Sequence, residues 1–486
     1  MGKEKFKTIL LMTLFVLSIA LTKQLWISVP IPHDMSFANQ MKNMDSKVEN
    51  HTKDIFDIFS PQSFTVNFGG GLHTVFYDDV YNIWAEVLSI LQNSSSKKDV
   101  IIEEIEVQRW MEENKARSIK MDFGFSMPVD ALGSVFKGKE IEVLDEKVSS
   151  VDSILVSLID EDSIYIADCN EGKYYRIKGK GEKKNLFNIM NTIEAESHSP
   201  YYAIKDIYGV ENNNLMPLEL DNNIPKIRVV QEIDPTNNTQ VEAFAGTFFG
   251  ENFDFVRKMV ESNGSVIYMY GYGQKSLKID ASGMLEYIEQ MDEEKSRNSV
   301  TFDHALKIAL KFVGDHGSWS SVEAYLKQAN AMEKGKKKGY QFVFGYRLNR
   351  FPIYYSDEIG SEAIEVHVMG EQITYYKRLL KKEKIAMNFL ENNEDTLILS
   401  TPEVIDQNFD MIMEDYIKDM NIAIQGTMME EILKEVLSSI ETVEIGYYYK
   451  PMKEPDKLIP VWIIKLDKRI YYFDVYTGTL MYRGEI

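Results

Sequence analysis

The segment that most constrains this chain is an uncharged apolar block close to its start. Lys3, Lys5 and Lys7 stand against the single Glu4, and Thr8 to Thr22 then carry no charge at all. Lys23 and Gln24 interrupt the block before Leu25, Trp26, Ile27 and Val29 resume it ahead of Pro30. A helix needs about 20 residues to cross the hydrocarbon core. Residues 8–29 reach that length if Lys23 snorkels and Trp26 sits at the interface. The lysines precede the span, so the positive-inside bias puts residues 1–7 in the cytoplasm and the bulk outside. A cleaved secretory signal has the same charged start, and Ser18-Ile19-Ala20 forms a weak processing site. Ala20 lies inside the apolar stretch, which favours a retained anchor in the cell membrane. Both readings place the bulk outside the cytoplasm.

Residues 1–29 hold four of the 54 basic residues and one of the 75 acidic ones, which leaves a net charge of −24 on the rest. Such a surface repels nucleic acid and anionic headgroups, so neither is expected as a broad partner. Cys169 is the only cysteine, which excludes an intramolecular disulfide and a thiolate metal cluster.

The remaining length divides into an expected α+β series of antiparallel sheets with packed helices. Residues 30–138 form a first domain. It opens on a polar stalk (Pro30 to Lys53) and continues with a strand at Phe64–Phe68 ending in Gly69-Gly70-Gly71. A helix carrying Val80, Ile83, Trp84, Val87, Leu88 and Leu91 follows, then a period-two strand from Ser118 towards Pro128. Residues 139–297 form a β-rich middle domain, with runs at 154–159, 163–167 and 174–177 separated by turn residues. Short strands are expected at 227–230 and 266–270, and a charged linker at 289–298.

Two copies of one pattern occupy 298–395 and 400–486. The first has Thr301 as a cap, a helix with Phe302, Ala305, Leu306, Ala309, Leu310 and Val313 on one face, and a strand alternating Tyr340, Phe342, Phe344 and Tyr346. The second has Thr401 as cap with Pro402 behind it, helices through Ile405–Met420 and Met428–Ile440, and a strand alternating Val443, Ile445, Tyr447 and Tyr449. Pro352 to Gly370 and Pro460 to Gly478 are both separations of 18 residues, which aligns the copies on those positions.

No catalytic constellation emerges. The seven histidines include no pair at i+3 or i+4, and His367 is expected to point out from a strand. No Gly-x-Ser-x-Gly elbow and no Walker loop occurs. Ser94-x-x-Lys97 and Ser95-x-x-Lys98 match a serine–lysine pattern but lie in a loop-like Ser-Ser-Ser-Lys-Lys run. Glu103, Glu104 and Glu106 read as a solvated strand face rather than a calcium site. The aromatics from Tyr447 to Tyr482 suit strands half-buried against a helix, with a ligand groove as the alternative. No enzyme, metal or cofactor is therefore expected.

The apolar start Lys5-Phe6-Lys7-Thr8-Ile9-Leu10-Leu11 with Ser18 to Thr22 and Leu25-Trp26 resembles the anchor of the YycH family, regulators of the WalK (YycG) sensor kinase. Ser118-Ile119-Lys120-Met121-Asp122-Phe123 leading to Met127-Pro128 resembles that family's first extracytoplasmic domain. Gly446-Tyr447-Tyr448-Tyr449, Ile459-Pro460-Val461-Trp462 and Asp474-Val475-Tyr476-Thr477-Gly478 are similar to the C-terminal part of YycH, to YycI and to PepSY modules. The resemblance implies a non-enzymatic regulator of a cell-wall two-component system. Its implied partners are a sensor histidine kinase and a YycI-like protein, with the membrane helix taking part in the contact. Leu11, Phe15, Ser18 and Thr22 share one helix face and are the candidate contact residues. A binding module holding a peptide, a protease or a wall fragment in the PepSY-like repeats is the alternative. An envelope hydrolase with a site built from distant residues is the third reading.

Overall fold

The computed structural model describes residues 58–95, 101–129, 131–132, 147–179, 181–196, 198–220, 224–234, 237–292, 300–317, 319, 323–335, 337–357, 362–383, 397–422, 429–450 and 456–485. All belong to one compact unit, Thr52–Ile486. The expected anchor at 8–29, the stalk and most of the charged linker lie outside the described residues. Among the described residues no helix is long and apolar enough to cross a membrane.

Among the described residues nine strands make the first sheet. β1 (Ser63–Gly69) and β2 (Leu72–Phe76) form a hairpin, followed by α1 (Ile83–Ser95), β3 (Ile101–Ile105), α2 (Val107–Lys115) and β4 (Ser118–Pro128). β5 (Ser150–Ser157), β6 (Ser163–Asp168) and β7 (Lys173–Lys178) form a meander. After them come α3 (Lys184–Ala195), β8 (Tyr201–Ala203), α4 (Ile204–Tyr208) and β9 (Leu215–Pro217). The order across the sheet is β3-β7-β6-β5-β4-β1-β2-β8-β9.

Glycine explains the first hairpin, because Gly69, Gly70 and Gly71 all sit at positive φ, where a side chain is strained. α1 starts at Ile83 rather than near Val80, because the Asp79 carboxylate accepts the backbone N–H groups of Ile83 (2.6 Å) and Trp84 (3.0 Å). Alternation along β4 sends Ile119, Met121 and Phe123 into the core shared with α1 and α3. On the opposite face α2 lays Trp110 against Leu155, Tyr165 and Ala167.

The division expected at residue 139 falls inside this sheet. β5 pairs with β4 from Ser118↔Ser157 to Pro128↔Ser150, so the strands on either side of 139 share one ladder and one core. Apolar periodicity marks each strand but says nothing about which neighbour it pairs with.

Among the described residues fifteen strands make the second sheet. It begins with β10 (Ile227–Gln231), α5 (Asn238–Phe249), β11 (Arg257–Val260), β12 (Val266–Tyr270), β13 (Lys275–Ile279) and β14 (Met284–Glu289). Next are α6 (Phe302–Asp315), β15 (Glu323–Lys334), β16 (Lys337–Leu348), β17 (Phe351–Tyr355), β18 (Ile364–Met369), β19 (Gln372–Leu379) and β20 (Lys381–Glu383). The chain ends with α7 (Thr401–Asp419), α8 (Met429–Ser438), β21 (Ile440–Tyr449), β22 (Lys457–Leu466), β23 (Arg469–Asp474) and β24 (Leu480–Glu485). The architecture is α+β with antiparallel ladders. β17 on β21, Ile353↔Tyr447 to Tyr355↔Tyr449, is the parallel pair among the described strands.

Both C-terminal segments run as a helix followed by a four-stranded antiparallel meander, β15-β16-β18-β19 and β21-β22-β23-β24. The alignment differs from the one expected. Strand order matches the Tyr340–Tyr346 strand to the strand holding Pro460 and Trp462, not to Val443–Tyr449. Pro352 lies on β17, a short extra strand paired to the end of β16, whereas Pro460 lies on β22, one of the four strands of its meander. Gly370 and Gly478 do both fall in the turn between third and fourth strands. The second helix is also capped one residue earlier than expected. Ser400 accepts the Glu403 N–H (3.3 Å) while Glu403 takes the Ser400 N–H (2.8 Å), a reciprocal capping box. Thr401 is spent elsewhere, its hydroxyl donating to the Pro217 carbonyl. Ile440 begins β21 instead of ending a helix.

Candidate interaction cleft

The face of the first sheet turned away from α1 and α3 carries polar side chains where the core face carries apolar ones. Thr65 on β1 lies opposite Lys120 on β4, and Ser63 lies opposite Asp122. This face and parts of β15, β17 and β21 enclose a cleft of about 920 Å³. Its walls mix amide, hydroxyl and charged side chains with a few tyrosines.

A buried arginine ties the two walls together. Arg347 of β16 is 2% exposed and donates from Nη2 to the carbonyls of Pro61 (3.0 Å) and Gln62 (3.3 Å) at the head of β1. Its guanidinium lies 4.0 Å from the centre of the Tyr325 ring and also reaches Glu323 at 3.2 Å. Gln62 returns the link, donating from Nε2 to the Lys327 carbonyl at 2.9 Å. Lys327 sits at a bulge where the β15–β16 register shifts, and this leaves its carbonyl available. At the other end the Asn212 amide donates to the carbonyls of Leu437, Ser438 and Ile440, and Asn214 adds a second bond to Ile440 (3.0 Å).

Burial sets the electrostatics of the cleft. It pushes Tyr325 up to about 12, against the opposing pull of Arg347. Tyr354 is raised well above the ordinary tyrosine value by burial and then by Glu444, whose carboxylate accepts the Tyr354 hydroxyl at 3.0 Å. Tyr77 and Tyr201 are raised for the same first reason, so the four hydroxyls are neutral polar groups across the physiological range. Asp78, just beyond β2, is raised to about 6 by burial, with Arg350 at 3.6 Å opposing. Lys120 pairs with Asp122 (3.1 Å) and Lys327 with Glu362 (3.0 Å).

The candidates read from sequence fall elsewhere. Leu11, Phe15, Ser18 and Thr22 lie outside the described residues, as do Lys97 and Lys98. Glu103 pairs with Lys178 (2.8 Å) and Arg176 (3.5 Å) across the β3–β7 ladder, an ionic strand face. His367 is half-buried, 2.7 Å from Glu365 and ring to ring with Tyr375 at 4.7 Å. Among the described residues no cluster of three metal-ligating side chains occurs.

The C-terminal aromatics are core, apart from the half-buried Tyr482 on β24. Tyr447, Trp462, Tyr471 and Phe473 have no exposed surface, and Tyr448 and Tyr449 are 1% exposed. They line no groove, since both faces of their strands are packed. The cleft itself escaped sequence reading because its walls come from at least six separated segments. One signal was available: Arg347 interrupts the apolar and aromatic run from Phe342 to Leu348, and a charge there demands a partner.

A family model described as YycH protein, N-terminal domain, matches residues 4–197, which end just beyond α3. A Bacillus subtilis (strain 168) protein named Two-component system WalR/WalK regulatory protein YycH is 21% identical over 489 residues, spanning 97% of this chain and 96% of the relative. Residues 4–197 match the N-terminal domain of the YycH family, and likeness to YycH runs the length of the chain. The crystal structure of YycH from Bacillus subtilis shares the fold, with a TM-score of 0.52 at 15% identity over 86% of this chain and 97% of that one. Near-complete coverage of both chains extends the YycH likeness past the matched N-terminal domain into the C-terminal meanders.

Proposed function

We propose that this chain is a non-enzymatic, membrane-anchored regulator of a WalR/WalK-type two-component system, working with a YycI-like partner. The observation that carries the reading is end-to-end correspondence with a protein named as a WalR/WalK regulator, over 97% of one chain and 96% of the other. Residues 8–29 hold the protein in the cell membrane with residues 1–7 in the cytoplasm, as the lysine bias requires. The helix face of Leu11, Phe15, Ser18 and Thr22 meets a membrane helix of the sensor kinase, its two hydroxyl residues permitting close approach. Kinase output is the natural readout. Deleting the gene should change transcription from a WalR-type promoter, and unchanged output would sink the regulatory reading. Exchanging residues 8–29 for an unrelated spanning helix of equal length should abolish regulation while leaving protein level intact. Regulation that survives the exchange would reduce the helix to a tether.

A further inference from the structure

We propose that the cleft accepts an extended polypeptide segment, added as a strand along the free edge of β15. The inference rests on the regulatory reading above, and its occupant is an extracytoplasmic segment of the sensor.

The first ground is backbone chemistry. Among the described strands β15 pairs with β16 on one side and with nothing on the other. Its first half is tied off where Gln62 caps the Lys327 carbonyl at the bulge. Beyond that point Gln328, Asn330 and Ala331 are exposed, and the open edge continues to Lys334. At about 3.4 Å per residue this is roughly 20 Å of unpaired N–H and C=O groups, enough for a short added strand. The far wall repeats the pattern. β21 pairs with β17 only from Tyr447 to Tyr449, so Thr442 to Glu444 pair with β22 alone among the described strands, with β9 in contact beside β21. Thr442 Oγ1 is buried in that stretch with no partner among the described residues. Such edges are normally covered or blunted, and here Gln328 to Asn330 and Glu441 to Glu444 face the cavity.

Side-chain chemistry favours a peptide over a glycan. Sugars are held on open aromatic faces, but Tyr77, Tyr201 and Tyr325 are 7%, 3% and 4% exposed, which leaves only the half-buried Phe125 and Tyr354 among the aromatics of the lining. Amides such as Gln328, Asn330, Asn213 and Asn214 both donate and accept, which suits a main chain. Charge narrows the occupant further. Lys120 and Lys327 are already paired, which leaves Asp152, Glu441 and Glu444 against Lys465. The segment that fits carries a lysine or arginine.

The test uses the full chain in detergent micelles with overlapping short synthetic peptides tiling the extracytoplasmic part of the cognate sensor. One run of adjacent tiles should bind and slow amide exchange at 328–334 and 441–444. Asn330→Arg should weaken that binding about tenfold or more, equivalent to about 1.4 kcal/mol, with an unchanged melting curve because Asn330 is exposed. Glu441→Lys should weaken the basic tile and spare a variant of that tile with its basic residue replaced by glutamate. Absence of protection by every tile overturns the proposal, as does protection by a chitin oligosaccharide in place of the peptides. In cells, output altered by deletion but untouched by Asn330→Arg defeats the cleft proposal alone. Output untouched by deletion defeats the regulatory reading itself.

Discussion

Arg347→Met asks how strongly one side chain joins the two walls. The methionine keeps the aliphatic stem and removes the guanidinium, which donates to two carbonyls at the head of β1 and lies over the Tyr325 ring. Each carbonyl left without a donor costs about 1–3 kcal/mol, and the desolvated cation–π contact adds up to about 2 kcal/mol. The Glu323 pair adds little, because that carboxylate is 45% exposed. Against these losses stands the relief of a buried charge whose Nε has no partner among the described residues. A buried cation costs several kcal/mol to desolvate, so the net loss should be about 2–4 kcal/mol. Urea unfolding followed by tryptophan emission reads this directly, since Trp84 and Trp110 report on the first sheet and Trp319 and Trp462 on the second region. The midpoint should fall, and amide exchange should rise first at Gln62–Thr65 and Tyr325–Lys327. In a double-mutant cycle Tyr325→Leu should show coupling, as touching residues do. A midpoint corresponding to a loss below about 0.5 kcal/mol, with exchange unchanged, would refute the reasoning.

Two further outcomes follow from burial. Asp78 titrates near 6 when folded and near 4 when unfolded, so the unfolded chain loses its proton first and stability falls as pH rises from about 4 to 6. Asp78→Asn should therefore stabilise the protein at pH 7 by roughly 1–3 kcal/mol and by almost nothing at pH 4, measured as melting temperature against pH; equal gains at both pH values would contradict this. Tyr325 and Tyr447, both buried, are pushed up to about 12, so the unfolded chain ionises near 10 while the folded one does not. Each should contribute on the order of 2–3 kcal/mol that is lost between pH 10 and 12, and Tyr447→Phe should flatten that alkaline limb. An unaltered limb in the variant would show that Tyr447 ionises in place.

Local structure was the most legible part of this chain. Alternation in Ser118–Pro128 and in Tyr340–Tyr346 marks real strands, and Thr301 caps a real helix, its Oγ1 accepting the His304 N–H. Those signals survive because periodicity and capping act within one or two turns of chain. Ser400 outcompeted Thr401 as a cap because Glu403 stands three residues on and closes the box, which the sequence displays to a reader who looks for the pair. Strand partnership was not legible. Nothing in residues 150–157 announces that they lie beside β4, and nothing in Pro352 announces that its strand runs on from β16 to pair with β21. The cleft was hidden for the same reason, since Gln62, Lys327 and Glu444 meet only after both sheets form. Family likeness gave the regulatory expectation where residue chemistry gave an absence.

The parallel seam between β17 and β21 has an evolutionary consequence. β17 pairs antiparallel with β16 of the first meander at Phe351–Pro352 and parallel with β21 of the second at Ile353–Tyr355. A duplication that left each copy self-sufficient would allow either to be lost, shuffled or inherited alone. Here excision of the first copy strips Tyr447–Tyr449 of a neighbour and bares a tyrosine-rich strand, the kind of edge that sticks to its own kind. The two meanders are thus joined at a seam to which each contributes a strand, and a substitution in that seam is felt on both sides.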